Sequence, residues 1–89
     1  MKNLEGEAYD FPGTFEVSAM GSAGAGIEQA LPELVTAAGA QVLAGTLRVR
    51  ESSAGNYVAV HINFLAADRE QFNAVIESVR GHPGVKWLL

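Results

Sequence analysis

Alternation of apolar and polar residues marks four strands in this chain. The alternating segments are residues 14–20, 46–50, 58–64 and 85–89. Alternation of this kind is typical of strands that bury one face and leave the other open. In the second segment, Leu47 and Val49 are the residues expected to point inward.

A first helix is predicted between the first two strands. Its apolar stripe consists of Ile27, Leu31, Leu34, Val35 and Ala38. Pro32 lies within this stripe, and its missing N–H is harmless only in a first helical turn. We therefore expect the regular helix to begin near Gln29 or Ala30, and Gly39 to end it.

A second helix follows the third strand. Asp68 is a favourable N-cap, and Gln71 completes a capping box three residues later. The apolar stripe of this helix consists of Phe72, Val75, Ile76 and Val79. The Gly-His-Pro-Gly turn at residues 81–84 then ends it.

The order of these elements predicts an α+β protein with the ferredoxin-like βαββαβ arrangement. Right-handed crossovers place both helices on one face of a four-stranded antiparallel sheet. The other face is then open, and it carries Glu16, Ser18, Arg48, Arg50, Tyr57 and His61. Trp87 is expected to pack in the core or at the sheet edge, with an anchor in a dimer interface as the alternative.

The 89 residues suffice for one small domain, predicted at residues 11–89 after a flexible acidic tail at residues 1–10. The chain lacks cysteine, which excludes disulfides, iron–sulfur clusters and thiolate metal sites. No apolar segment is long enough to span a bilayer. The net charge of −4 argues against non-specific binding to nucleic acid or to anionic membranes. We expect a cytoplasmic protein without cofactor or metal.

The glycine-rich segment GSAGAG, residues 21–26, is the first candidate site. Glycines between a strand and a helix can present N–H groups to an anion. Gly21, Ser22 and Gly24 are therefore candidate ligands for a carboxylate or another small anion. The alternative is a flexible connector, because the spacing matches no phosphate-binding motif and no lysine follows.

The segment ESSAGNYVAV, residues 51–60, is the second candidate. Its serines and Gly55 suit a type I hairpin turn closed by a left-handed glycine. That requirement does not explain Asn56 and Tyr57, which begin the next strand. With His61 on the same strand they are candidate ligand-binding residues. The alternative is that Asn56 fixes the corner and Tyr57 packs on the sheet or in an interface.

Several of these segments resemble the YbeD-like family of small bacterial proteins. The resemblance rests on FPGTFEVSAMG, SSAGNYVAVHINFLA, REQF and GVKWLL, which together cover residues 11–89. Ala59 departs from the family pattern, in which serine is common. The resemblance implies a ferredoxin-like fold similar to that of ACT regulatory domains, and it implies no catalytic residue, because the family has no established activity.

Three hypotheses follow for the function. The first is a non-catalytic regulatory or binding module that recognises a small anionic metabolite or a partner enzyme, with a homodimer as the way for so short a chain to bury more surface. The second is a small enzyme whose site lies at the GSAGAG loop or the hairpin. The third is an RNA-binding or scaffold protein using the open face, although one peripheral tyrosine is a poor stacking platform.

Overall fold

The computed structural model describes residues 10–89 as a sheet with two helices packed against one side. In chain order the elements are β1 (Gly13–Ser22), α1 (Ile27–Ala37), β2 (Gln41–Val42), β3 (Arg48–Glu51), β4 (Tyr57–Ala66), α2 (Arg69–Arg80) and β5 (Val85–Leu88). The tail predicted for residues 1–10 falls, apart from Asp10, outside the described residues.

The antiparallel sheet is centred on β1 and β4. These strands pair without interruption from Gly13 opposite Ala66 to Ser22 opposite Tyr57. β5 lies along the outer side of β1, while β2 and β3 both lie along the outer side of β4. The order of elements and strands confirms the predicted α+β ferredoxin-like fold, with the two longest strands at its centre.

The strand predicted at residues 46–50 corresponds to β3, and β2 is an additional short strand, separated from β3 by residues 43–47, so the sheet has five strands rather than the predicted four. Thr46 holds the intervening segment in place, since its Oγ1 donates to the Leu43 carbonyl at 2.7 Å and accepts from the Asn63 N–H at 3.1 Å. The Leu43 N–H in turn donates to the Asn63 carbonyl at 3.0 Å. A two-residue strand is too short to produce a recognisable alternation, which is why the pattern did not predict β2.

The expectation that Leu47 and Val49 point into the core is wrong. Their exposed fractions are 44% and 47%. Val49 lies opposite Val60, on the side of the sheet that faces the helices. However, α1 packs over β2 and β4, so this end of the sheet edge extends beyond the helical layer. The alternation therefore predicted correctly which side of the sheet Val49 faces, but it did not predict that Val49 is exposed.

α1 begins at Ile27, earlier than predicted, after Gly26 in a left-handed conformation with a φ of 80°. Pro32 thus lies inside the helix, where it leaves the carbonyl of Glu28 without its intrahelical N–H partner. A hydrogen bond contributes about 1 kcal/mol. Ile27 is only 1% exposed, and burying such a side chain contributes about 2 kcal/mol. Burial of Ile27 therefore favours the earlier start.

The core lies between the sheet and the helices. Its fully buried members include Ile27, Leu31 and Val35 of α1 and Val75 and Val79 of α2, as the helical stripes predicted. Aromatic rings close the end of the core where β1 and β4 meet α2. They belong to Phe11, Phe15, Phe64 and Phe72.

The start of α2 gives a first prediction about stability. The Gln71 N–H donates to the Asp68 carboxylate at 2.8 Å, which confirms the predicted cap. The reciprocal bond differs, because Gln71 Oε1 accepts from the N–H of Ala67 at 2.9 Å rather than from that of Asp68. We expect Asp68→Ala to lower the free energy of unfolding by about 1 kcal/mol.

Urea denaturation checks this prediction. An unchanged slope of the unfolding free energy against urea concentration shows that the substitution changes only the stability. The matched control is Asp68→Asn, which keeps an oxygen acceptor at the cap and should stay near the wild-type midpoint. Equal losses in the two variants would contradict the assigned cap.

Candidate functional site

The sheet face opposite the helices is open to solvent, as predicted. Strand pairing places on it Glu16, Ser18, Arg48, Arg50, Tyr57 and His61. All of these residues are exposed or half-buried. We call this surface the open face. Four of these residues lie on the two central strands, the most regular part of the sheet, whereas Arg48 and Arg50 lie on β3.

One end of the open face is a polar groove of about 570 Å³ that includes Glu16, Arg48, Arg50 and His61 in its lining. Arg48 forms an ion pair with Glu16, reaching across β4. Ser18 and His61, which are directly opposite each other, are joined by a hydrogen bond of 2.7 Å between Oγ and Nδ1. These pairs hold most of the polar groups of the groove in fixed positions.

Arg50 differs from the other polar residues of the groove. Among residues 10–89, its guanidinium has neither an ion pair nor a hydrogen bond. It also lines a second, smaller hollow of about 140 Å³, whose wall includes Met20, Tyr57 and Ala59. A cation with unused donors therefore lies between a polar groove and a more apolar hollow.

The other end of the open face is aromatic. Tyr57 and Trp87 pack edge to face, with ring centroids 5.6 Å apart, and they are 38% and 49% exposed. Of the two packing positions expected for Trp87, the core is therefore wrong, whereas the sheet edge is correct because β5 is the outermost strand. The pairing of β1 with β5 is irregular between Met20 and Gly21. This irregularity brings Val85 and Leu88 to the core side and turns Trp87 outward.

The hairpin turn matches its prediction. Gly55 has a φ of 77°, and its N–H donates to the Ser52 carbonyl at 2.9 Å. Ser52 Oγ accepts from the Tyr57 N–H at 3.2 Å. The Asn56 carbonyl accepts from the N–H of Ala23 at 2.9 Å, so the hairpin and the loop after β1 are in contact. The backbone of Asn56 therefore has a structural role.

The other candidate residues are brought together only in part. Gly21 and Ser22 belong to β1 rather than to a loop, and Ser22 lies opposite Tyr57. Only Gly24 lies in the connection itself, with a φ of 88°. His61 is four positions further along β4, on the polar side of the open face. Asn56, Tyr57 and Ser22 thus form one group and His61 belongs to another.

The start of α1 is less suited to an anion than its glycines suggested. Glu28 lies in the first helical turn, and its Oε1 is buried without a hydrogen-bond partner among the described residues. A bound anion would have to lie near this carboxylate, which repels it. Binding of an anion by Gly21, Ser22 and Gly24 stays a prediction.

Two further observations apply to residues 10–89. No cluster of three or more histidine, aspartate or glutamate side chains is arranged to hold a metal ion within them. Neither helix of this part of the chain has the length and apolar character of a membrane span.

Sequence reasoning placed Arg50 on the open face without naming it among the candidate residues for a small anion, and it left the position of Trp87 open between the core and the sheet edge. The alternation of β3, which places Arg50 on the same face as Arg48, was the sequence signal from which this role of Arg50 could have been inferred. No local signal gives the strand irregularity that turns Trp87 outward. The pairing of Ser18 with His61 required the register of β1 against β4, which single strands do not encode.

Comparisons with known proteins extend this picture. The family described as "Protein of unknown function (DUF493)" matches residues 7–89. A UPF0250 protein of Xanthomonas oryzae pv. oryzae is 49% identical over 81 residues, covering 91% of this chain and 88% of that protein. A UPF0250 protein of Xylella fastidiosa is 46% identical with the same coverage of both chains.

Among solved structures, the ACT domain from GTP pyrophosphokinase of Chlorobium tepidum is similar, with a TM-score of 0.67 and 10% identity. The match covers 91% of this chain and 97% of that domain, and at this identity it shows the fold alone. Fold, family match and relatives confirm the YbeD-like resemblance, and the chain belongs to the DUF493 family of proteins of unknown function, with an ACT-like fold.

Proposed function

We propose that this protein is a non-catalytic regulatory module of the cytoplasm that binds a small anionic metabolite or an acidic surface of a partner enzyme. The observation that carries the proposal is Arg50 on the open face, which has no partner among residues 10–89 and has His61 on one side and Tyr57 on the other. The ACT-like neighbour, a domain of a GTP pyrophosphokinase, supports a role alongside an enzyme.

Electrostatics supports the same surface. The whole chain has a net charge of −4. The polar groove nevertheless combines two arginines with a single carboxylate, that of Glu16, which Arg48 already neutralises. The carboxylate of Glu51 lines the adjoining hollow together with Arg50, but no ion pair joins the two side chains. The Arg50 guanidinium therefore keeps its donors free among residues 10–89, and a guanidinium binds carboxylates and phosphates through paired hydrogen bonds.

Arg50→Gln tests the proposal. We expect a panel of carboxylates and phosphates to contain compounds that raise the melting temperature of the wild-type protein, since a ligand that binds only the folded state stabilises it. Loss of one charge-assisted hydrogen bond at an exposed position should weaken their binding by roughly tenfold in Arg50→Gln.

The matched control is Arg80→Gln. Arg80 is exposed on α2, where it forms an ion pair with Glu77 at 2.8 Å, so this variant loses the same charge from the helical side. It should bind as the wild-type protein does. The proposal is wrong if no anion changes the melting temperature, or if both variants weaken binding equally, which would show a response to net charge alone.

One observation favours a second candidate, a small hydrolase. Ser18 Oγ and His61 Nδ1 are 2.7 Å apart, the distance of a nucleophile from its general base. Ring nitrogen Nε2 of His61 has no orienting partner among the described residues. A screen with acyl phosphates, phosphoesters and thioesters tests this candidate. Activity that disappears in Ser18→Ala would replace the binding module with an enzyme whose site differs from the predicted GSAGAG loop.

A further inference from the structure

One row of residues crosses the open face from edge to edge. Arg50 of β3 lies opposite Ala59 of β4, Ala59 lies opposite Met20 of β1, and Met20 lies opposite Trp87 of β5. From one edge to the other, the row consists of a cation without a partner among residues 10–89, a small side chain, the flexible apolar side chain of Met20 and the exposed ring of Trp87. We call it the transverse row.

We propose that the transverse row docks an extended segment of a partner protein that presents a carboxylate, a large apolar residue and an aromatic residue at positions i, i+2 and i+4. This inference rests on the proposed function and names the occupant of its surface. The carboxylate binds Arg50, the apolar side chain enters the hollow above Ala59, and the aromatic side chain packs against Trp87.

The length of the row favours a peptide segment over a small metabolite. Four adjacent strands at roughly 4.8 Å spacing place Arg50 and Trp87 about 14 Å apart along the row. Residues i and i+4 of an extended chain are about 13 Å apart, and side chains i, i+2 and i+4 point the same way. A compound of metabolite size reaches one end of the row, whereas an extended segment reaches both.

The shape and composition of the row agree with this occupant. The hollow of about 140 Å³ has Met20, Tyr57 and Ala59 as its apolar and aromatic lining, and its polar rim consists of Arg50, Glu51 and Ser52. Ala59 forms the floor because its side chain is short. The size of the hollow suits one aliphatic side chain. Tryptophan, tyrosine, methionine and arginine are also the residue types enriched in the cores of protein interfaces.

Charge decides between an acidic protein segment and a nucleic acid. Arg50 is the one arginine of the groove without a partner among residues 10–89, and a single carboxylate matches a single guanidinium. A nucleic acid presents a phosphate at every nucleotide and would encounter a chain of net charge −4. The acidic protein segment therefore fits the charge of the surface better.

The test uses a synthetic probe, the peptide acetyl-Gly-Glu-Ser-Leu-Ser-Phe-Gly-amide, titrated to about millimolar concentration into the isotope-labelled full chain. We expect the amide signals of Arg50, Ala59 and Met20 and the indole signal of Trp87 to shift, while those of α1 stay unchanged. The same peptide with lysine in place of glutamate should bind at least fivefold more weakly.

Two pairs of variants sharpen the result. Ala59→Leu fills the hollow and should abolish the peptide-induced signal shifts. Ala59→Ser adds only a hydroxyl and leaves the hollow open, so it should preserve them. Arg50→Gln should weaken binding roughly fivefold, and Arg80→Gln should not change it. Thermal melts of each variant verify that the fold is intact before binding is compared.

Other outcomes overturn the inference. Absence of shifts with the peptide, or unchanged binding by Ala59→Leu or by the lysine peptide, excludes the proposed segment. If a short single-stranded RNA produces the shifts instead, the open face binds RNA. If dilution produces them and light scattering detects dimers, the open face binds a second copy of the chain. If anions bind through Arg50 but the peptide does not, this inference fails while the proposed function stands; if neither binds, both fail.

Discussion

Phe64→Ala is expected to lower the free energy of unfolding by about 4 kcal/mol, the typical cost of truncating a large buried aromatic side chain. Phe64 is fully buried, and its ring centroid lies 6.1 Å from the centroids of both Phe15 and Phe72. Alanine removes the ring that these neighbours contact and leaves a cavity between β4 and α2. Because small domains are stable by only about 5–15 kcal/mol, this loss removes between about a quarter and four fifths of the total stability.

Trp87→Ala is the matched control. It also truncates an aromatic side chain, but Trp87 is 49% exposed and has Tyr57 as its aromatic contact. Its loss should cost less than about 1 kcal/mol, the range of surface substitutions and single aromatic pairs. Urea midpoints compare the two variants. Similar losses would contradict the distinction between a core that maintains the fold and an open face that is available for binding.

Much of the fold could be predicted from the sequence because its central strands are long and regular. β4 spans ten residues, from Tyr57 to Ala66, and its burial alternates strictly from Val60 to Ala66, so only one assignment of its faces buries the large apolar side chains. The same argument gave the open-face positions of Glu16, Ser18 and His61. It works because the side-chain period of a strand is fixed by backbone geometry.

The sheet edges could not be predicted in the same way. At one edge, residues 43–47 leave the sheet, and at the other an irregularity turns Trp87 outward. Both features depend on which strand is the neighbour and how its hydrogen bonds are spaced, and short strands leave little local signal of either. The exposure of Val49 likewise depends on how far α1 extends over the sheet, and tertiary packing determines that extent.

The candidate site also combines features that the local sequence predicts with features that depend on strand pairing. The turn chemistry of Gly55 is local, so the sequence predicted it. The transverse row joins residues from β3, β4, β1 and β5, which are separated along the chain by as much as 67 positions, from Met20 to Trp87. Only the register of the sheet places Arg50 in line with Met20, and the separate strands do not encode that register.

Gly21→Ala is the second substitution with a large expected effect, and we expect it to cost about 3 kcal/mol, the upper range for overpacking in a closely packed site. A Cβ on Gly21 would lie 2.1 Å from the Gly84 carbonyl oxygen and 3.3 Å from Cδ1 of Ile27. The first contact is with backbone, so it can be relieved only by moving β1 away from the turn before β5. For a domain of this size the melting temperature should fall by roughly 12–24 °C.

Gly24→Ala separates this packing role from ligand binding. Gly24 has a φ of 88°, but an added Cβ meets nothing within 4 Å. We expect a loss of about 1 kcal/mol from backbone strain alone. Thermal melts of the two variants should therefore differ by roughly 10 °C. If Gly21→Ala instead melts close to the wild-type protein, packing does not require a glycine there, and its place among the anion-binding candidates regains support. If it melts as expected, packing is sufficient reason for a glycine at position 21, and the open face becomes the surface on which binding should be sought first.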